Sequence, residues 1–190
     1  MLALTLGYEG ITVRASLERA ADAQWLEEFL LPWFDLSDDV PDVTVLVSRD
    51  PVYYAQLLAC GPAGSRVDAF MMDTRVIDLP VWNVPASMAL YDKKHGIFYL
   101  LRDGCIKLVC NDTGNTMRMS LMRVLRELAM GAAQLRGGGF LHASGFVADG
   151  RAAIISGPRK AGKTSLLSYM LSHSDAAFLC NDRLLLTVQD

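Results

Sequence analysis

The chain has 190 residues, of which 52% are hydrophobic, and its formal net charge at pH 7 is −3. The acidic balance argues against nucleic acid as a partner, and the apolar runs are only a few residues long, so no segment is expected to span a membrane. Because Thr5, Gly7 and Glu9 interrupt the start, the sequence lacks the basic and apolar regions of a signal peptide, and we expect a cytoplasmic protein.

Residues 1–136 are predicted to form an N-terminal α+β domain. Alternating or apolar runs predict strands at 2–8, 11–16, 43–48, 67–72, 75–79, 87–91, 96–101 and 105–110. Helices are predicted at 17–31, 51–60 and 115–136. Residues 61–64 are expected to form a turn, and Trp82 is expected in a loop. Three arginines lie off the apolar stripe of the last helix and are expected on a solvated face: Arg118, Arg123 and Arg126.

The four cysteines show no C-x-x-C spacing. They are Cys60, Cys105, Cys110 and Cys180. In a protein expected in the cytoplasm, this pattern favours free buried thiols over a metal site or disulfides.

Three consecutive glycines, residues 137–139, break the last helix and predict a second domain at 137–190. In it we expect a strand at 141–147, a turn at 148–151, a strand at 152–156 and a helix from Lys163 to about Leu171. A further apolar strand is expected to end at Asn181 and Asp182, beside the strand at 152–156. The whole chain is therefore assigned to the α/β class, with an α+β unit followed by a smaller second unit.

A phosphate-binding loop joins the strand at 152–156 to the following helix. Gly157, Gly162, Lys163 and Thr164 fill the pattern G-x-x-x-x-G-K-[ST], in which backbone N–H groups surround phosphate oxygens. The lysine supplies a point charge, and the threonine hydroxyl can bind Mg²⁺. The alternative is a glycine-rich turn without a ligand. The residues predicted to hold a nucleotide, ATP or GTP, are Gly157, Pro158, Arg159, Lys160, Ala161, Gly162, Lys163, Thr164 and Ser165.

Asp182 is the predicted acidic partner of Thr164 in a magnesium site. An acidic residue at the end of a strand next to the loop is suitably placed for a second contact to the cation. The alternative interpretation is that Asn181 and Asp182 form an ordinary turn.

This order of motifs resembles the catalytic domain of the HPr kinase/phosphorylase family, and more closely the HPr-kinase-like serine kinases of bacteria. The resemblance covers about residues 139–188: His142-Ala-Ser-Gly, an Asp-Gly turn, the phosphate loop, a helix and Asn181-Asp-Arg. It implies a fold related to phosphoenolpyruvate carboxykinase and transfer of a nucleotide γ-phosphate to a serine. It further implies catalytic roles for Lys163 and Asp182, with His142 beside the transferred phosphate. A histidine satisfied within the core is the alternative for His142.

The chain departs from the family pattern in two respects. Asn181 stands where the family usually has the first of two aspartates, one of which helps to deprotonate the acceptor, and an amide cannot accept a proton at neutral pH. The chain also stops at Asp190, soon after a strand, so we expect an incomplete nucleotide-binding domain that is either a piece of a longer one or is covered by the N-terminal unit or another chain.

These departures leave three functions open. They are a kinase for a protein or peptide serine, a nucleotide-binding module that regulates a partner without phosphotransfer, and a kinase for a small molecule. The resemblance also suggests a homo-oligomer.

Overall fold

The computed structural model of the chain describes residues 2–31, 33–70, 76–111 and 115–187. It contains both helices and sheets, which confirms the mixed α/β class. The chain divides into two compact units: unit 1 contains the described residues up to Ala69 and Val76–Ala132, and unit 2 contains Phe70 and the residues from Ala133 onwards. The sequence instead places the domain boundary after residue 136. Within the residues described, none of the helices combines the length and the apolar composition required to cross a bilayer.

Among its described residues, unit 1 contains a nine-stranded mixed sheet, two complete helices and most of a third. The strand order is β3-β1-β2-β4-β9-β8-β7-β6-β5. The strands are β1 (Leu2–Tyr8), β2 (Ile11–Leu17), β3 (Asp35–Leu36), β4 (Val43–Ser48), β5 (Pro62–Phe70), β6 (Val76–Trp82), β7 (Met88–Asp92), β8 (Ile97–Arg102) and β9 (Cys105–Cys110). The helices are α1 (Ala20–Leu30), α2 (Pro51–Cys60) and α3 (Asn115–Leu135).

Both faces of this sheet are covered by helices. Leu26 of α1 and Leu121 of α3 belong to one buried cluster, which also contains Leu108 of β9. Leu57 of α2 belongs to a second cluster, which contains Val109. Because neighbouring residues of a strand point to opposite faces, α1 and α3 cover one face of the sheet and α2 covers the other.

Three predicted elements of unit 1 differ from the structure. The first helix begins at Ala20 rather than at residue 17, because Leu17 is the last residue of β2 and pairs with Leu2 of β1. The predicted turn at 61–64 is wrong from Pro62 onwards, where β5 starts. Trp82 lies at the end of β6 rather than in a loop, and it pairs there with Ala89.

Helix α3 ends in a Schellman motif. The N–H of Gly137 donates to the carbonyl of Gln134 at 3.0 Å, and the N–H of Gly138 donates to that of Ala133 at 2.9 Å. Gly137 has a φ of 87°, a left-handed conformation that glycine adopts without steric cost. The glycines therefore end the helix as the sequence predicts.

A buried ion network joins α1, the end of β4 and α3. Asp22 is only 2% exposed, and its Oδ2 lies 2.7 Å from Nη1 of Arg49, whose side chain is 5% exposed. Its Oδ1 accepts a hydrogen bond from Nε of Arg118 at 2.8 Å. The interpretation of Arg118 as a residue of a solvated face is therefore wrong, because the guanidinium group compensates a buried carboxylate. Two positive charges and one negative charge meet where water is largely excluded.

Removing the charge of Asp22 should destabilise unit 1. In Asp22→Asn two guanidinium groups keep their charge without a carboxylate, and we expect the free energy of unfolding to fall by about 3 kcal/mol or more. Urea unfolding followed by tryptophan fluorescence would measure this, because Trp25, Trp33 and Trp82 all lie in unit 1. The control is Glu28→Gln, an exposed residue of the same helix. Equal unfolding midpoints for both variants would contradict the prediction.

Unit 2 is built around a three-stranded antiparallel sheet with the order β12-β11-β13 in the described part of the chain. Its elements are β10 (Gly139–Leu141), β11 (Ala143–Ala148), β12 (Arg151–Ser156), α4 (Lys163–His173), β13 (Ala177–Asn181) and β14 (Leu184–Leu186). Strands β10 and β14 pair separately. The predicted single strand at 141–147 is divided at His142, because β10 pairs with β14 whereas β11 pairs with β12 and β13.

Candidate nucleotide-binding site

The hairpin of β11 and β12 leads directly into the predicted phosphate loop. Its two-residue turn is Asp149-Gly150, with φ values of 51° and 70°, which matches the type I′ turn that suits the twist of a hairpin. Strand β12 ends at Ser156 and α4 begins at Lys163. The strand, loop and helix therefore occur in the order that the motif requires.

The amino end of α4 presents uncapped backbone N–H groups. The N-cap residue is Gly162, with a φ of 87°, and no side chain caps this end. The first helical hydrogen bond runs from the N–H of Leu166 to the carbonyl of Gly162. Within the described residues, the backbone N–H groups of Lys163, Thr164 and Ser165 have no acceptor in the protein. Such a helix end, with the positive end of the helix dipole, favours an anion.

The ammonium group of Lys163 folds back over the loop. Its Nζ donates to the carbonyl of Gly157 at 3.0 Å and to that of Pro158 at 3.2 Å. The cation is thereby held at the start of the loop, while the backbone N–H of the same residue lies at the end of the loop. Arg159 and Lys160 add two exposed positive side chains to the loop, which strengthens the local attraction for an anion.

Asn181 joins β11, α4 and β13 through its amide oxygen. Oδ1 accepts a hydrogen bond from Oγ of Ser144 at 2.8 Å and another from Oγ1 of Thr164 at 3.0 Å. Ser144 is 1% exposed, so its hydroxyl needs a partner within the protein. The residue beside the Thr164 hydroxyl is therefore Asn181. Ser144 was given no role in the sequence analysis, although a polar residue in an otherwise apolar strand is a usable signal.

The next residue, Asp182, contacts His142. Nδ1 of His142 lies 2.9 Å from Oδ1 of Asp182 and 3.0 Å from the backbone oxygen of the same residue. Both oxygen atoms are acceptors, so Nδ1 carries the hydrogen and Nε2 faces away from Asp182. Asp182 has a φ of 107°, rare for a residue with a side chain, and its N–H donates to the carbonyl of Ala143 at 2.9 Å. Its backbone is thus fixed to the start of β11.

Sheet topology explains why these groups meet at one edge. Strands β12 and β13 both pair antiparallel with β11, so they run in the same direction, and their carboxyl ends lie at the same edge. Ile155 and Asn181 both pair with Ser144. The expectation that β13 is the direct neighbour of β12 is wrong, because β11 lies between them.

The structure groups the predicted site residues in three contacts. Lys163 contacts the loop, Thr164 contacts Asn181, and His142 contacts Asp182. The assignment of Asp182 as a magnesium ligand stays a prediction. In the described part of the chain, no cluster of three or more histidine, cysteine, aspartate or glutamate side chains could hold a metal ion. The Thr164 hydroxyl at this edge is an oxygen donor of the kind that suits Mg²⁺.

Close packing next to Asn181 fixes the end of β13. Sγ of Cys180 lies 3.7 Å from the carbonyl oxygen of Ala143. A Cβ atom at Gly145 would lie 3.3 Å from this sulfur and 3.3 Å from the carbonyl oxygen of Ala153, so a side chain there would be crowded. Burial raises the pKa of the Cys180 thiol above its ordinary value. Among the described residues no disulfide joins the four cysteines, and Cys60 is exposed rather than buried as the sequence predicts.

The thiols of Cys60 and Cys180 should differ in their reactivity towards alkylating reagents. Because less of Cys180 is ionised and little of it is accessible, we expect iodoacetamide at pH 8 to modify Cys180 about tenfold or more slowly than Cys60. Mass spectrometry of tryptic peptides at successive times would measure both rates. In the urea-unfolded chain the two rates should become similar. Equal rates in the folded protein would contradict the packing described for β13.

The geometry combines an anion-binding helix end, a lysine held over its loop and a threonine hydroxyl aligned by a neighbouring strand. A scan of protein-family models and searches of curated proteins and solved structures found no match to this chain.

Proposed function

We propose that the chain binds the triphosphate of ATP or GTP at the loop between β12 and α4. The observation that carries this proposal is the uncapped amino end of α4, with Lys163 held over the same loop. The free N–H groups would donate to phosphate oxygens, and the ammonium group would exchange its carbonyl partners for the terminal phosphates. A glycine-rich turn without a ligand would not need the cation folded over it.

The residues at this edge can also accommodate Mg²⁺. Thr164 donates its hydroxyl hydrogen to Asn181, which leaves lone pairs of its oxygen free to bind a cation, and Asp182 follows directly in the chain. When bound, the cation would neutralise charge on the β- and γ-phosphates. The chain's own contribution is to hold the phosphates with backbone N–H groups and to keep the threonine oxygen oriented.

We further propose that the γ-phosphate is transferred to a serine hydroxyl of a protein or peptide. Support comes from the resemblance to HPr-kinase-like serine kinases and from the contact between His142 and Asp182 at the sheet edge where the loop begins. In this role Lys163 would stabilise charge on the transferred group, and His142 would lie beside it. Asn181 would align Thr164 without itself taking a proton.

The second candidate function is nucleotide binding that regulates a partner without phosphotransfer. Asn181 favours it, because an amide stands where the resembling family has a carboxylate. Its Oδ1 is also occupied by two hydroxyl hydrogens. General-base catalysis typically contributes about a hundredfold or more to a rate, so loss of the base would leave weak transfer.

Nucleotide binding should depend on Lys163. We expect ATP with Mg²⁺ to raise the melting temperature of the wild type in proportion to the logarithm of ligand concentration, and to leave Lys163→Ala nearly unchanged. Differential scanning fluorimetry would measure the shift, with GTP in a parallel series. The control is Lys94→Ala, an exposed lysine of unit 1 that should respond like the wild type. Equal shifts in all three proteins, or none in any, would remove the proposed site.

Phosphotransfer distinguishes the two candidate functions. With γ-labelled ATP and Mg²⁺, a kinase should place label on the hydroxyl of a candidate acceptor peptide, and Lys163→Ala should lower that rate about a hundredfold or more. Phosphoamino-acid analysis would identify serine as the labelled residue. Nucleotide-dependent stabilisation without transfer to any tested peptide, or to water, would support the regulatory module instead.

A further inference from the structure

Asn181 and Asp182, at the end of β13, have different hydrogen-bond partners. The Asn181 amide oxygen receives the hydroxyl hydrogens of Ser144 and Thr164, whereas the Asp182 carboxylate receives the Nδ1 hydrogen of His142. The backbone of Asp182 is also tied to Ala143, with a φ of 107°. The group that faces the Thr164 hydroxyl is therefore neutral, and the charged group beside it is already engaged.

The contacts of Oδ1 determine what Asn181 can do. A carbonyl oxygen has two lone pairs, and here each accepts one hydroxyl hydrogen, so no lone pair is left for a cation while both bonds persist. The same bonds fix the rotation of the Thr164 hydroxyl. The role that remains for Asn181 is to orient that oxygen towards the phosphate site.

A carboxylate in the same place would make the same two hydrogen bonds but would add a negative charge. Beside a triphosphate, that charge repels the ligand unless a divalent cation lies between them. The neutral amide removes this repulsion, while Lys163 and the uncapped N–H groups of α4 keep their attraction for the phosphates.

We propose that Asn181 is a positioning residue for Thr164 and that its neutral amide makes triphosphate binding by this chain largely independent of a divalent cation. The inference rests on the proposed nucleotide site. It concerns the side chain that determines whether triphosphate binding at that site requires a divalent cation. In this arrangement the Asp182 carboxylate is the partner of His142 rather than of the Thr164 hydroxyl.

The test compares ATP affinity in magnesium buffer with affinity in EDTA buffer, measured by isothermal titration calorimetry for three proteins. For the wild type we expect the two dissociation constants to agree within about tenfold. In Asn181→Asp, which is isosteric and exposed, the affinity in EDTA should fall about tenfold or more, as expected for one added unit charge a few ångströms from the phosphates. The affinity in magnesium should change much less.

Asp182→Asn is the matched variant, with the same change of charge at the next residue. Because its carboxylate faces His142, we expect the ratio of the two affinities to stay within about threefold of the wild type, the size of an exposed charge effect. Far-ultraviolet circular dichroism would verify that both variants are folded.

The possible results separate the inference about Asn181 from the proposed nucleotide site. A wild type that binds ATP only in magnesium, an unchanged ratio in Asn181→Asp, or a ratio in Asp182→Asn that differs from the wild type by well over about threefold would overturn the inference while leaving the nucleotide site in place. A wild type that binds ATP in neither buffer would remove the nucleotide site and this inference together.

Discussion

The candidate site depends on one constraint, the pair of hydrogen bonds received by the amide oxygen of Asn181. Ser144 lies in the central strand of the small sheet, Thr164 lies in the first turn of α4, and Asn181 ends β13. Each of the three elements contributes one polar group, and all three groups meet at a single atom. The amino end of α4 is therefore fixed relative to the sheet. Small changes at this atom would alter the geometry of the whole loop.

The remaining parts of the site act by electrostatics rather than by packing. Within the part of the chain that the structure describes, the first backbone N–H groups of α4 have no protein acceptor, and Lys163 contributes a full charge to the same loop. Both attract anions in general, so neither selects a base or a sugar. Under the proposed function, preference for a triphosphate over a single phosphate would follow from the spread of positive groups along the loop, from Lys163 back to Arg159. Unit 1 uses charge differently, since Asp22 and Arg49 are buried and serve its stability.

The sequence predicts local features well and long-range pairing poorly. The Asp149-Gly150 turn and the end of α3 are set by neighbouring residues, and the structure has a hairpin turn and a helix end there. It also has a strand, a loop and a helix at 151–173, whereas phosphate binding by that loop stays a prediction. The sequence does not predict that β11 lies between β12 and β13, because the residues of a strand show which of its faces is buried but not which strand pairs with it. The contact of Arg118 with Asp22 was missed for a related reason: the two residues are far apart in the chain and each lies on a helix with its own periodicity.

The parallel core of unit 1 has a consequence for how the protein is made. Strand β4 pairs on one side with β2 and on the other with β9, so three distant stretches of chain must assemble before the sheet is complete. Such non-local pairing folds slowly, whereas the hairpin of β11 and β12 needs only neighbouring residues and closes in about 1–10 μs. During synthesis on the ribosome, β4 would keep an unpaired edge until β9 has emerged, and chaperones would have to protect that edge from aggregation.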